Sequence, residues 1–540
     1  MLRDAALALS LANLCFVKVW SKLLSSAGSY FNETPIVYLS IVLDVLLLAA
    51  FFFIAATLVR RCGNATLAKL MRAGFLFALL VSANGVVSLV STFSAFNPVS
   101  AIGRSGASVT AFILTALAVS ALFRWRQRIS SAAPKVVLAL FPFLLLTFFQ
   151  AGSVFIKPEM GVAHAAVTPP INAPSKRQKA ASRVLWIVFD EMDQRMSFAE
   201  RPAGLSLPEL DRLRNQSLYA ANAYPPAPLT YMSMPALITG RLISKVTPVR
   251  SDELMINFDG EREAVGWSAQ PNVFGEARKA GFTTGLVGWC HPYCSVIGAS
   301  LTRCEVVKER SEDEITLKGS MFSQAQGLVA TIPLFQQISI PLIQRVGFLN
   351  KLALHQERQK YIFRYKSVLD GALKAATNRD LDLVLLHVPA PHPPGIYNAQ
   401  RQDFSLEGDA SYTDNLALVD RTVGELRRAM ENASVWDETT VLVTADHWWR
   451  TEMWARGPFW NSEDERTSGG KSDHRIPFVL KLAGEKTPVT YDAPFNTILT
   501  HDLLLAFLRG EVRDAGSVTQ WLDSHRSIAD SPYNRDDLLP

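Results

Sequence analysis

Apolar residues dominate the first 156 positions of the chain and thin out abruptly after them. Five apolar stretches, near residues 5–26, 36–59, 70–93, 107–124 and 135–156, are long enough to cross a bilayer, which takes roughly 20 residues. The second is the clearest, running as IVYLSIVLDVLLLAAFFFIAATLV from Ile36 to Val59. Lys18 and Lys22 interrupt the first, so it reads either as a span whose lysines snorkel to an interface or as a shorter anchor. Beyond a linker at 157–182, rich in Pro, Ala and Lys, the pattern changes to short apolar runs separated by helical periodicity. Arg183–Phe189 is one such run, and Thr284–Val287, Leu383–His387, Thr440–Thr444 and Phe478–Leu482 are others. Continuous apolar runs suit strands buried on both faces. Helical patterns lie between them at Val273–Ala280, Gln356–Ala376 and Ala410–Ala433. The alternation predicts an α/β domain over 183–540 with a mostly parallel central sheet between helices, preceded by a five-helix transmembrane domain over 1–156.

Charge fixes an orientation for this arrangement. Arg60, Arg61, Lys69 and Arg72 follow the second span, and Arg124, Arg126, Arg128 and Lys135 follow the fourth. The loops after the first and third spans carry almost no positive charge, Arg104 excepted. The positive-inside rule then places the N-terminus in the cytoplasm and everything after Phe155 outside it. Four further spans and no small-residue cleavage pattern argue against a cleaved signal peptide. The net charge of +5 implies no nucleic-acid partner. Of the five cysteines, Cys290, Cys294 and Cys304 fall in the exported segment, where an oxidising compartment permits one disulfide among them. Spacing does not choose the pair.

In parallel sheets, ligands bind beyond the carboxyl ends of the strands. Asp190-Glu191 follows the first strand; His387 and His392 sit at the end of another; Asp446-His447 follows a third; His474 precedes the last. Any one of these is by itself an ordinary solvated loop residue. Together, carboxylates and imidazoles at successive strand ends suit Zn²⁺ or Mn²⁺, with Ca²⁺ a further option if oxygens dominate. Thr230 and Ser233 open an apolar helical stretch that closes at Gly240, and a hydroxyl there could meet the metal at a helix N-terminus. A plain helix cap is the alternative for Thr230.

These segments resemble the sulfatase/alkaline-phosphatase superfamily. On the sulfatase Cys-x-Pro-Ser-Arg motif, Thr230 takes the nucleophile position and Leu237-Ile-Thr-Gly-Arg241 matches the closing Leu-Thr-Gly-Arg. Phe274–Gly288 resembles the stretch of helix, Ala-Gly-Tyr and strand, and His291 falls at the His of Gly-Lys-Trp-His. Pro391-His392-x-Pro394 resembles Pro-His-x-Pro, Asp446-His447 the second metal-binding pair, and Lys471–Pro477 the Lys and Val-Pro-Phe region. The departures are informative. Thr230 cannot become formylglycine, Met234 replaces the motif Arg, and Trp289 replaces the Lys two places before His291. A threonine nucleophile after five membrane helices resembles the phosphoethanolamine and phosphoglycerol transferases instead. Leu386-His387 and His392 keep the histidine spacing of their Leu-His-x-x-Gly-Ser-His, and Tyr412–Asp420 resembles their Tyr-x-Asn helix. Asp190-Glu191 stands where they usually carry Glu, and Trp448 replaces the glycine of their Asp-His-Gly.

The resemblance implies a metal, Zn²⁺ by preference, held by Asp190, Thr230, Asp446 and His447 with Glu191 as an added ligand or support. It implies Thr230 as nucleophile, His392 and His474 as phosphoryl contacts, leaving-group acids or second-metal ligands, and Lys471 as a balancing charge. It further implies a bacterial inner-membrane protein with a periplasmic catalytic domain, a membrane lipid as donor and an envelope glycan or lipid as acceptor. With water as acceptor the enzyme is a phosphodiesterase, phosphatase or sulfuric ester hydrolase, and a non-catalytic scaffold is the third reading. His387 is expected to be structural, and His291 either an anion contact or a loop residue. Trp448, Trp449, Trp454 and Trp460 are expected to pack a loop, or else to stack on sugars or sit at a membrane face. Oligomeric state stays open.

Overall fold

The computed structural model describes residues 1–23, 35–62, 65–93, 124, 126–153, 180–250, 253–307 and 347–526. The chain divides into two compact units.

The N-terminal unit is helical: α1 (Leu2–Cys15), α2 (Val17–Leu23), α3 (Pro35–Cys62), α4 (Ala65–Phe93), α5 (Arg126–Ala139) and α6 (Phe141–Ser153). Three helical segments are long and apolar enough to cross a membrane, Tyr38–Arg61, Ala68–Val86 and Ser131–Gly152, corresponding to the second, third and fifth expected spans. Among the described residues, three of the five expected spans are therefore of this kind. The first stretch breaks at Phe16 into helices of 14 and 7 residues, about 21 and 10 Å long and each short of a bilayer core. The fourth, 107–124, lies almost wholly outside the described residues. Such helices mark a membrane-associated protein. Leu11, Trp20, Ile41, Val45 and Val81 form part of the unit's interior. Leu46, Phe51, Ile54 and Leu58 are exposed, as lipid-facing side chains are.

The second unit is an α/β domain. Its central sheet has nine strands: β1 (Arg183–Asp190), β2 (Leu218–Tyr224), β3 (Thr284–Trp289), β4 (Arg303–Val307), β5 (Leu383–Pro391), β6 (Thr439–Ala445), β7 (Ile476–Lys481), β8 (Val489–Tyr491) and β9 (Phe495–Asn496). The order is β8-β2-β7-β6-β1-β5-β3-β4, with β9 beside β2. All neighbours are parallel except β7, which runs antiparallel to both β6 and β2. The centre holds the most apolar strands: every residue of β5 and β6, and all of β1 after Arg183, is buried. β2, LYAANAY, was not expected as a strand, because its alanines and asparagine break the apolar run. Helices α7 (Thr230–Thr239), α8 (Gly347–Thr377), α9 (Tyr412–Asn432) and α10 (Thr500–Arg509) accompany the sheet. A capping box between Ser411 and Asp414 starts α9.

The expected disulfide forms between Cys294 and Cys304, and Cys290 stays a buried thiol. This topology sets where chemistry can occur. β1, β5 and β6 are adjacent and parallel, so their carboxyl ends share one edge. The antiparallel β7 begins at that edge, which brings the loop carrying His474 there as well.

Candidate active site

Asp190 ends β1, Asp446 and His447 follow β6, and Thr230 is the first residue of α7; all four are buried. Their side chains converge. Thr230 Oγ1 lies 3.2 Å from His447 Nε2 and 3.5 Å from Asp190 Oδ2. His447 Nε2 lies 3.7 Å from Asp190 Oδ1 and 3.4 Å from Asp446 Oδ2. The cap reading of Thr230 fails, since Leu229 holds the cap position and makes no side-chain cap bond. Ser233, the other candidate hydroxyl, donates to the Asp446 carbonyl at 2.6 Å. It ties α7 to the β6 loop and leaves Thr230 as the hydroxyl in the cluster.

The histidines are held in defined roles. His447 Nδ1 sits 3.0 Å from the Trp448 carbonyl. A carbonyl only accepts, so Nδ1 donates to it and Nε2 is the ring atom turned to Thr230 and the carboxylates. The same argument applies to His392, whose Nδ1 meets the Pro393 carbonyl and whose Nε2 faces Glu191 Oε2 at 3.7 Å. His291 donates from Nε2 to the Thr230 carbonyl at 3.2 Å, among the rings of Tyr231, Trp267 and Tyr293. It fixes the start of α7, a positioning role that neither expectation for it included. Burial holds His291 neutral down to about pH 3 and His387 and His392 down to about pH 4. Neutral imidazoles are the ligand form. A neutral His392 with its proton committed to a carbonyl does not fit the leaving-group acid expected of it.

Glu191 is fully buried and adopts a left-handed backbone, φ 66°, a conformation uncommon outside glycine. Its N–H donates to Asp446 Oδ1 at 3.0 Å and its carbonyl accepts from Tyr412 Oη at 2.8 Å. The carboxylate receives Arg450 Nε at 3.0 Å, Arg450 Nη2 at 3.2 Å and Trp454 Nε1 at 2.7 Å. Burial alone would raise its pKa, but Arg450, with His392 and His447, brings it down to about 2. Glu191 is thus a permanent anion with most of its lone pairs taken. Arg450, which nothing in the sequence singles out, is the guanidinium held against Glu191 among the described residues.

Two groups have ligand atoms within 4.8 Å of one another: Asp190, His387 and Asp446, and Asp190, Glu191 and His392. His387, expected to be structural, instead has Nε2 3.9 Å from Asp190 Oδ2. Three buried carboxylates face one guanidinium and neutral imidazoles, and Asp446 Oδ2 has no hydrogen-bond partner among the described residues. Buried unpaired charge is costly, so this donor set fits a divalent cation. Oxygen and imidazole ligands together suit Zn²⁺ or Mn²⁺.

One expected residue turns away from the cluster. Lys471 is exposed and pairs with Glu200 at 3.2 Å. Gly469 and Gly470, both at positive φ, turn the chain just before it. His474 is mostly buried with its ring 4.4 Å from that of Trp448. The tryptophans largely pack the loop: Trp449 stacks on Tyr412 at 4.0 Å and lies 5.4 Å from Trp460.

Residues 182–508 match the sulfatase family model. The chain belongs to the sulfatase family. It is an enzyme of the sulfatase/alkaline-phosphatase superfamily. No curated protein matches its sequence. Solved structures similar to this sulfatase-family chain include Ps i-CgsB in complex with k-i-k-neocarrahexaose, at 16% identity and TM-score 0.40, over 63% of this chain and 74% of that one. Another is the phosphonate monoester hydrolase of Agrobacterium radiobacter, at 14% identity and TM-score 0.36, over 61% and 77%. A third is a protein in the alkaline phosphatase superfamily from Vibrio parahaemolyticus, at 13% identity and TM-score 0.34, over 62% and 68%.

Proposed function

We propose that this sulfatase-family enzyme moves a phosphoryl-linked headgroup, of the phosphoethanolamine type, from a membrane phospholipid to an envelope glycan or lipid, with Thr230 as nucleophile. The observation that carries this reading is Thr230 itself, an unconverted hydroxyl between Asp190 and His447. Formylglycine chemistry needs Cys or Ser at that position, whereas direct attack on phosphorus needs only an activated hydroxyl.

Asp190, Asp446 and His447 would hold the metal, with His387 as a further donor. When bound, the metal supplies positive charge that lowers the hydroxyl pKa. Thr230 Oγ1 gives up its proton and attacks phosphorus, the bond from phosphorus to the lipid oxygen breaks, and the departing lipid alcohol takes up the proton that Thr230 released. The acceptor hydroxyl then attacks phosphorus of the phosphothreonine, the bond from phosphorus to Thr230 Oγ1 breaks, and the acceptor's proton restores the Thr230 hydroxyl. Arg450 holds Glu191 with Nε and Nη2, and its guanidinium is a cation suited to stabilising phosphoryl oxygens. His291 keeps the Thr230 backbone in place throughout. The membrane helices support a lipid donor, and their loop charges support a catalytic unit outside the cytoplasm of a bacterial inner membrane.

The family match favours a second reading, a membrane-anchored hydrolase that passes the group to water. Purified full-length enzyme with Zn²⁺, headgroup-labelled phosphatidylethanolamine and an envelope glycolipid separates the two. Label appearing in the glycolipid supports transfer. Label released to water at the same rate with and without the glycolipid contradicts it.

A further inference from the structure

Asp44 lies inside the apolar span Tyr38–Arg61. It is 7% exposed, and its Oδ2 is buried with no hydrogen-bond partner among the described residues. It lines a cavity of about 500 Å³ in the membrane unit, within the range of small-molecule sites, roughly 300–1,000 Å³. The floor includes Cys15, Ala78 and Val81, all buried, while Leu47 and Phe51 at its edge are 49% and 63% exposed. The cavity therefore runs from a lipid-facing surface to a single carboxyl. Asp44 sits six residues into the span, about 9 Å along the helix axis from Tyr38.

An ionisable side chain at this depth is costly without a partner. Polar groups packed around the cavity are engaged within the unit: Cys15 Sγ lies 3.7 Å from the Ala78 carbonyl and 3.6 Å from Ser82 Oγ, and Ser82 Oγ donates to the Ala78 carbonyl at 2.9 Å. Among the described residues that line the cavity, Asp44 is the one carboxyl, and its Oδ2 has capacity to spare. The occupant must match both features, an apolar wall and one carboxyl. No lysine or arginine is among the described residues that line the cavity. A phosphate-bearing head would bring negative charge beside Asp44 with nothing to balance it. A hydroxyl brings no charge and needs one acceptor.

We propose that this cavity binds a neutral lipid alcohol of the diacylglycerol class, its hydroxyl donating to Asp44 and an alkyl chain lying against Leu47, Phe51 and Phe77. The site belongs to the membrane unit and stands independently of the reaction assigned to the sulfatase unit.

The test is photolabelling of the full-length protein in phosphatidylcholine nanodiscs with a diacylglycerol carrying a diazirine on its acyl chain, followed by peptide mapping. Label is expected on peptides covering residues 44–52 and 74–81, reduced at least fivefold by excess dioleoylglycerol and unchanged by added phosphatidylcholine. Asp44→Leu removes the acceptor. Gly74→Leu fills the cavity with Asp44 intact, and a side chain at Gly74 meets nothing within 4 Å at its Cβ. Each variant is expected to lose at least fivefold of the labelling. If Asp44→Leu fails to fold, Gly74→Leu decides alone. Label elsewhere, competition by phosphatidylcholine equal to that by dioleoylglycerol, or undiminished labelling of folded variants would each overturn the proposal.

Discussion

Both units of this protein bury acids, and they do so in opposite ways. The sulfatase unit buries Asp190, Glu191 and Asp446 together at strand ends, among imidazoles, a guanidinium and a threonine hydroxyl. The membrane unit buries Asp44 in an apolar cavity, without a hydrogen-bond partner among the described residues. A clustered set with excess negative charge calls for a cation; a single carboxyl against hydrocarbon calls for one neutral donor. The chemistry of a buried acid is therefore read from its company rather than from its burial.

The largest expected effect breaks the clustered site at its centre. Thr230→Ala is expected to lower turnover by at least about 10³-fold while the metal stays bound, checked by steady-state kinetics alongside metal analysis. Turnover within tenfold of wild type would remove Thr230 from the chemistry. Next, Asp446→Asn is expected to weaken metal binding by at least about 100-fold, since losing even a supporting residue costs 10–100-fold. Competition with a chromogenic chelator reads this directly, and unchanged affinity would mean the cluster is no metal site.

Arg450→Met should cost about 3–5 kcal/mol of stability, because it strands the buried Glu191 carboxylate. Denaturant unfolding checks it, and Arg450→Met with Glu191→Gln should recover much of the loss. The smallest effect is set by pH, away from the site. Asp464 accepts from the Tyr412 N–H at 2.8 Å, and burial raises its pKa to about 6. The folded state then holds more protons than the unfolded state between about pH 4 and pH 6. This contribution to stability is complete below about pH 4 and is lost as pH rises through 6. Asp464→Asn should flatten that dependence by about 2 kcal/mol, as read from unfolding midpoints at the two pH values.

Much of this was legible in the sequence. β1, β5 and β6 announce themselves as unbroken apolar runs, and Asp190, Asp446, His447 and Thr230 follow from their strand-end or helix-start positions. What was not legible depends on where side chains turn. Arg450 follows two tryptophans in a loop and looks like any solvated cation until the fold sets it against Glu191. His387 ends an apolar run and reads as structural, yet it faces Asp190. Its spacing to His392 was the available signal. The resemblance implies Lys471 as a balancing charge, but the chain turns at Gly469-Gly470 and Lys471 pairs with Glu200. The first apolar stretch reads as a lysine-interrupted span or a shorter anchor, and its break at Phe16 into two short helices is in line with the anchor.

The most direct test of the account is intact-mass spectrometry of the full-length protein after incubation with phosphatidylethanolamine and Zn²⁺, with mapping of the 222–241 peptide. The account predicts a phosphoethanolamine adduct on Thr230 that is absent in Thr230→Ala. An enzyme that turns over phosphatidylethanolamine without any adduct on that peptide, even when quenched within the first turnover, would contradict it.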